Sequence, residues 1–367
     1  MNSNNVNVQF KKKKVLIDLS SLKNIYCGLG QVALNYGNYF KENYNASESI
    51  YELTFLMPKK LEGMFGDNVK YISSTNLIRK HFNLLFPRYD IWHSIHQLSR
   101  FSPTDASTKQ ILTIHDLNYL YEKSGEAKDK LHTKIQKKVE RANIITCISK
   151  FAKKDIESHL NINGKNCLVI YNGVEQYNQI DSVKPKSDIK APFFFSIGVL
   201  ERKKNFHVLF DMMKQMPDKT LYIAGKEPKR SKHKEYVNSL RQQLIDKNIH
   251  NVVLLGPVSQ EEKIWLYKNC EAFIFPSLFE GFGLPIIEAL QFGKPVIANK
   301  GTSLIEIGDK HVGFIENFDS EHIKQVTLKH INEFSNSPDR IRAAIKYAKT
   351  FTYKKHFQEY EKLYSQL

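Results

Sequence analysis

Two glutamates, Glu280 and Glu288, bracket a glycine-containing loop, Glu280-Gly281-Phe282-Gly283-Leu284, that follows the apolar run Ala272 to Phe275. Pro285 fits the first position of a helix, and Gly293 fits the residue just past its end. Free backbone N–H groups at such a helix start can hold an anion or sugar hydroxyls. A carboxylate touching a diphosphate would be repelled. The two glutamates therefore suit the hydroxyl groups of a sugar and of a ribose. An ordinary strand-to-helix turn, with Glu288 in a solvated first turn, would share this spacing.

A second polar cluster, Glu201-Arg202-Lys203-Lys204-Asn205, follows the run Phe193 to Ile197 and Gly198. Cations at the end of a strand are placed to neutralise a phosphate leaving group, although such a run also suits a solvated helix start. His115-Asp116 closes the run Gln110 to Ile114. A histidine there faces the ligand side of a parallel sheet and can donate to an oxygen. His93 and His96 follow another short run and are either acceptor-side or structural residues. Gly28-Leu29-Gly30-Gln31-Val32-Ala33 has the form GxGxxA. A dinucleotide fingerprint would follow its strand directly and meet an acid at the end of the next one. Here Ser20 to Cys27 intervenes, and the next run ends Leu56-Met57-Pro58. A nicotinamide enzyme is disfavoured, and a flexible loop facing a second domain across a cleft fits better.

These residues need strands to carry them. Short β-branched and aromatic runs recur at Val15–Leu19, 53–56, 110–114, 143–148 and 168–170, then at 193–197, 220–224, 252–255, 272–275 and 295–298. Near-continuous apolar runs alternating with helical patterns predict parallel sheets buried on both faces. The expected fold class is α/β, with two doubly wound Rossmann-like domains facing a central cleft. The polar, proline-containing stretch 176–192 reads as the linker. The expected domains are 1–178 with 352–367, and 190–351. Tyr353, Phe357, Tyr360 and Leu363-Tyr364 have helical spacing.

Composition narrows the classes. The 367 residues are 41 % hydrophobic and 25 % charged, which are globular proportions. No apolar stretch is long enough to span a bilayer, and Val15-Leu16-Ile17 is too short for a signal peptide, so a cytoplasmic protein is expected. Cys27, Cys147, Cys167 and Cys270 lack CxxC spacing and are expected to be free thiols. Lys+Arg 54 against Asp+Glu 38 leaves a net charge of +16. That balance suits an anionic partner, whether a phosphorylated small molecule, acidic lipid or nucleic acid, or reflects a lysine-rich coding bias. There is no P-loop, no GxSxG elbow and no nucleic-acid-binding motif. No Asp-x-Asp occurs, so a Mg²⁺ or Mn²⁺ diphosphate clamp of that type is missing and no metal is expected.

The stretch Pro276-Ser277-Leu278-Phe279-Glu280-Gly281-Phe282-Gly283-Leu284-Pro285-Ile286-Ile287-Glu288-Ala289 resembles the E-x7-E motif of family-4 retaining glycosyltransferases, which have the two-Rossmann GT-B fold. The resemblance continues through Gly293-Lys294-Pro295-Val296-Ile297-Ala298 and Ser303-Leu304-Ile305-Glu306. Gly256-Pro257-Val258-Ser259 and Tyr171-Asn172-Gly173-Val174 are similar to further landmarks. It implies Glu280, His115 and Lys204 as catalytic residues. Glu280 would bind the donor sugar, His115 would lie near it, and Lys204 would hold the diphosphate. It implies donor binding by Gly30, Arg202, Lys203, Val258, Phe282, Gly283, Leu284 and Glu288, the last on the ribose. Where many members carry Arg after the strand glycine, this chain has Val199, and Arg202 or Lys203 is expected to replace it. Glu201-Arg202-Lys203-Lys204-Asn205 is similar to a variant among mannosyltransferases, which tilts the donor towards GDP-mannose. The acceptor would be a glycan or polyprenyl-linked oligosaccharide of surface polysaccharide synthesis. A sugar-nucleotide epimerase of the same architecture and a nucleic-acid-binding protein are the alternatives. The basic stretch Lys128 to Lys154 predicts peripheral binding to an anionic membrane surface.

Overall fold

Branched and aromatic residues on both sides of each short run leave a strand no solvated face, so the chain builds two wholly parallel sheets. The computed structural model describes residues 12–25, 28–75, 86–177, 180–228 and 231–367, with the backbone alone at 231–233. Cys27, the start of the N-terminal tail and part of the expected linker lie outside them. Among the described residues there are thirteen strands. They are β1 (Lys13–Asp18), β2 (Tyr51–Met57), β3 (Lys70–Ser73), β4 (Ile91–Ser94), β5 (Lys109–Ile114), β6 (Ile144–Cys147) and β7 (Cys167–Val169). The second set is β8 (Phe193–Ile197), β9 (Thr220–Ala224), β10 (Val252–Gly256), β11 (Ala272–Phe275), β12 (Val296–Asn299) and β13 (Val312–Ile315). The first sheet runs β3-β2-β1-β4-β5-β6-β7 and the second β10-β9-β8-β11-β12-β13. Each reverses its winding once, between β1 and β4 and between β8 and β11. Ligands in such sheets bind outside the carboxyl ends of the strands at that reversal.

The chain divides into two compact units. Unit 1 holds the residues to Ile148, Lys153–Ile170 and Tyr353–Leu367, and unit 2 holds Ser149–Ala152 and Tyr171–Thr352. The division falls at Tyr171 rather than at 178. The reason is visible at Tyr177, whose ring stacks on Phe292 of unit 2 at 5.9 Å. The start of the expected linker is thus packed as part of that unit. β3, Lys70-Tyr71-Ile72-Ser73, mixes polar and apolar residues, and β13, Val312-Gly313-Phe314-Ile315, is apolar but short and broken by glycine, so neither stands out in sequence as a strand.

The last helix, Tyr353–Gln366, belongs to unit 1 through a buried polar network rather than apolar contact alone. His93 Nδ1 meets Tyr364 Oη at 2.7 Å and its Nε2 meets Thr113 Oγ1 at 2.8 Å. Tyr360 Oη reaches Thr113 and Thr146 at 3.0 and 3.1 Å. Burial first, and then His356 and His115, push the His93 imidazole down to about 3. His93 therefore stays neutral and structural, inside β4. Cys147, Cys167 and Cys270 are buried thiols outside any disulfide.

Candidate active site

The winding reversal of unit 2 brings two loops together. One follows β8 and forms a short 3-10 turn, Arg202–Lys204, closed by Asn205 in the left-handed region at φ 57°. The other follows β11. Leu278 N donates to Lys203 O at 2.7 Å, which stitches the loops edge to edge. The side chains then meet. Lys204 Nζ lies 2.5 Å from Glu280 Oε1, with the two side chains only 14 % and 17 % exposed. Ser277, fully buried, donates its hydroxyl to the same Oε1 at 2.7 Å. The backbone of the loop is braced from behind by Ser303, whose Oγ donates to Glu280 O at 2.8 Å. Lys204 also sits 5.1 Å from the centre of the Phe275 ring.

The loop enters a helix, Leu284–Gln291, with Gly283 as N-cap at φ 107°. That backbone angle is one that side-chain-bearing residues rarely adopt. Pro285 occupies the second helical position, not the first, because Leu284 already has helical geometry. It still loses no hydrogen bond there. Phe282, Gly283 and Leu284 thus present their amides at a helix N-terminus, where negative charge is favoured.

Glu288 lies one turn further in, and its surroundings were invisible to sequence spacing. Tyr177 Oη and Lys263 Nζ donate to its Oε1 at 2.6 and 2.8 Å, and Tyr267 Oη donates to Oε2 at 2.9 Å. Burial alone would raise this carboxyl, but Lys263, helped by the two phenols, holds it below its ordinary range. Burial and then Glu288 keep the Tyr267 phenol protonated far above its usual value. Oε2 keeps lone-pair capacity for a further donor. Lys263 and Tyr267 stand four residues apart on the helix Gln260–Asn269, Tyr177 comes from a distant segment, and none of them carries a motif of its own.

The remaining expected donor residues separate. Arg202 lies over Tyr236 at 5.6 Å, and Lys203 Nζ lies 3.9 Å from Glu201. Lys204, not Lys203, is the cation that meets Glu280. Val258 is half-buried in the loop after β10, just before the helix Gln260–Asn269 that Ser259 and Glu262 cap reciprocally.

Gly30 and His115 belong to unit 1. Gly30 lies in the first turn of the helix Gly28–Asn43, not in a flexible loop. A Cβ on Gly30 would fall 2.0 Å from Asn24 O, so the close pass of the preceding segment requires glycine. His115 is buried at the end of β5, and its Nε2 lies 2.8 Å from Ile95 O. A carbonyl only accepts, so Nε2 carries the proton. Burial lowers the His115 imidazole against the opposing effects of Ile95 O and Asp116. Neutral His115 therefore offers Nδ1 as an acceptor. The oxygen to which it donates is that of Ile95, so its one proton is committed within unit 1. His96 is likewise neutral, pushed down to about 3 mainly by burial, with Nδ1 accepting from Leu98 N at 3.1 Å. At the winding reversal of unit 1, buried Asp18 accepts from Ser20 N at 2.9 Å and from Ser99 Oγ. Among the described residues no group of three His, Cys, Asp or Glu is arranged to hold a metal ion.

Comparison with known proteins bears on both units. The family model for glycosyl transferases group 1 matches residues 178–351, and the model for glycosyltransferase family 4 matches 44–176. The O-antigen chain mannosyltransferase RfbU of Salmonella typhimurium is 24 % identical over 348 residues, covering 89 % of this chain and 93 % of that protein. The serotype-specific mannosyltransferase WbdA of Escherichia coli is 27 % identical over 53 % of this chain, which spans only 25 % of WbdA. Among solved structures, sucrose-phosphate synthase from Thermosynechococcus elongatus superposes with a TM-score of 0.72 at 15 % identity, covering 97 % of this chain and 99 % of that one. Anabaena HepE in complex with UDP-glucose gives a TM-score of 0.69 at 17 % identity, covering 97 % of this chain and all of that one. The fold of both units is thus that of known glycosyltransferases.

Proposed function

This chain belongs to the glycosyltransferases that the group 1 and family 4 models describe, and from that premise we propose that it transfers a hexose with retention and without a metal. The donor is a nucleoside diphosphate sugar bound in unit 2. The acceptor is a glycan or lipid-linked oligosaccharide of surface polysaccharide synthesis. One observation carries this reading: a lysine and a carboxylate lie side by side at the winding reversal, beside a helix N-terminus. The lysine and amides suit a diphosphate, and the carboxylate suits sugar hydroxyls. Mannose is the favoured sugar, because RfbU and WbdA are named as mannosyltransferases. GDP is the nucleotide that goes with it in this reading.

In the transfer the bond from the anomeric carbon to the β-phosphate oxygen breaks, and the nucleoside diphosphate leaves with the electron pair. The acceptor hydroxyl adds to the same face, and its proton passes to the departing phosphate oxygen. Lys204 stabilises the charge that grows on that oxygen, and Glu280 fixes the sugar by accepting from its hydroxyls. The positive charge comes from side chains, so transfer survives chelation. The test is a proton NMR assay with GDP-mannose and UDP-glucose, with and without EDTA. An α-linked product formed in EDTA supports the proposal. An inverted product, or activity restored only by Mn²⁺, contradicts it.

The helix Gly125–Arg141 buries Ile135 and Val139 and leaves Lys130, Lys134, Lys137 and Arg141 exposed. No described helix is long and apolar enough to cross a membrane. The cationic face suits peripheral attachment to an anionic bilayer, where a lipid-linked acceptor would reside. Co-sedimentation with phosphatidylglycerol vesicles at low salt, lost at about three times physiological ionic strength, is the expected result.

A further inference from the structure

Glu280 is held by two donors that differ in what donor binding does to them. Lys204 carries its ammonium on a four-carbon stem, and its ion pair with Oε1 occupies the charge that a diphosphate needs. Ser277 is fully buried, one residue past Pro276, and its carbonyl is gripped by Asn299 Nδ2 at 3.0 Å. It has one proton and two acceptors in reach, Glu280 Oε1 at 2.7 Å and Lys203 O at 3.2 Å. The shorter contact goes to the charged oxygen, which makes the stronger bond.

When a diphosphate enters, Lys204 turns to it, and Oε1 loses one of its two donors. Without a second anchor the carboxylate would follow the ammonium toward the phosphates, where like charge repels it. We propose that Ser277 is a positioning residue that keeps Glu280 aimed at the donor sugar once Lys204 has left it for the diphosphate. This rests on the donor site proposed above. It adds the exchange of Lys204 between two anions and the fixed anchor that makes the exchange productive. Oε1 stays on the serine hydroxyl throughout, and Oε2 remains to accept from the sugar. A nucleoside diphosphate without its sugar draws on Lys204, the helix amides and Glu288, not on Glu280, and is indifferent to where Glu280 points.

That asymmetry gives the test. Ser277→Ala, Ser277→Cys, Glu280→Ala and the Ser277→Ala/Glu280→Ala double variant are compared with the intact wild-type chain. Turnover is measured on GDP-mannose and UDP-glucose, and binding of GDP and UDP by calorimetry. Ser277→Ala is expected to lower kcat about 10- to 100-fold and to leave bare nucleoside diphosphate affinity within about twofold. Ser277→Cys fills nearly the same volume with a weak donor, and is expected to fall in the same direction even where the alanine variant folds poorly. In the Glu280→Ala background, Ser277→Ala is expected to add no further loss, because its effect runs through that carboxylate. Parallel losses in turnover and nucleoside diphosphate affinity, or additive losses in the double variant, overturn the proposal and leave Ser277 a packing residue of the loop. A wild-type chain that binds neither nucleotide fails at the donor site itself, a different result from a wild-type that binds and a serine variant that turns over normally.

Discussion

The two winding reversals of this chain have the same strand order and opposite chemistry. In unit 1 the ends of β1 and β4 are tied shut: Asp18 at the end of β1 is buried and satisfied by Ser20 and Ser99. Burial raises its carboxyl against the lowering effect of those hydrogen bonds. In unit 2 the ends of β8 and β11 carry Lys204 and Glu280, partly exposed and paired with each other. A carboxylate sealed among hydroxyls holds a fold together. A carboxylate shared with a lysine at the rim can trade that lysine for a ligand. In the reading proposed above the second reversal takes the donor, and what sets it apart from the first is a few residues after two strands.

The largest effect expected from breaking this contrast is at Lys204. Lys204→Ala should lower turnover about 100-fold or more, because leaving-group charge goes unneutralised in a poorly solvated crevice. Harm from Lys203→Ala with a harmless Lys204→Ala would shift the site by one residue. Next comes Glu288→Ala, which removes the acceptor shared by Lys263, Tyr177 and Tyr267. It should weaken nucleotide binding and also lower the melting temperature, unlike Glu280→Gln, which should act mainly on kcat. In unit 1, Asp18→Ala should cost about 1–3 kcal/mol of stability by stranding buried donors, with nucleoside diphosphate affinity unchanged.

A smaller distinction is expected with pH. His93 and His96 are held down to about 3 in the fold. An unfolded histidine titrates near about 6.5, so acid protonates the unfolded chain first. Their contribution is full above that value and fades as pH falls towards 3, by roughly 2 kcal/mol each near pH 5. Unit 2 has a comparable group in His330, pushed down to about 4, mainly by burial. Trp92 lies in unit 1 and Trp265 in unit 2, so single Trp→Phe variants separate the two signals. The Trp92 signal should lose more stability between pH 7 and 5 than the Trp265 signal.

Much of this was legible in the residues. Runs such as Phe193–Ile197 and Ala272–Phe275 can hardly be anything but buried parallel strands, and Glu280, Glu288 and Lys204 stand where such strands end. β4 was legible only as a short run at His93, because Ile91-Trp92-His93-Ser94 mixes polar and apolar residues and His93 finds its partners in Thr113 of β5 and in the distant helix Tyr353–Gln366. The partners of Glu288 were hidden for the same reason: tertiary contacts between remote segments leave no periodicity. The helical setting of Gly30 was missed because glycine pairs read as loops, whereas here a neighbouring carbonyl excludes any side chain. The direction of the His115 proton depends on one backbone carbonyl, which no motif records.

The central claim is that unit 2 holds a nucleoside diphosphate through Lys204. Its most direct test is calorimetric titration of the intact chain and of Lys204→Ala with GDP, UDP, dTDP and ADP. The account predicts that one of these binds the wild-type chain, GDP first among them, and that Lys204→Ala weakens it by at least about tenfold, or about 1.4 kcal/mol. Equal affinity in the two proteins, or no binding of any of the four, would contradict it.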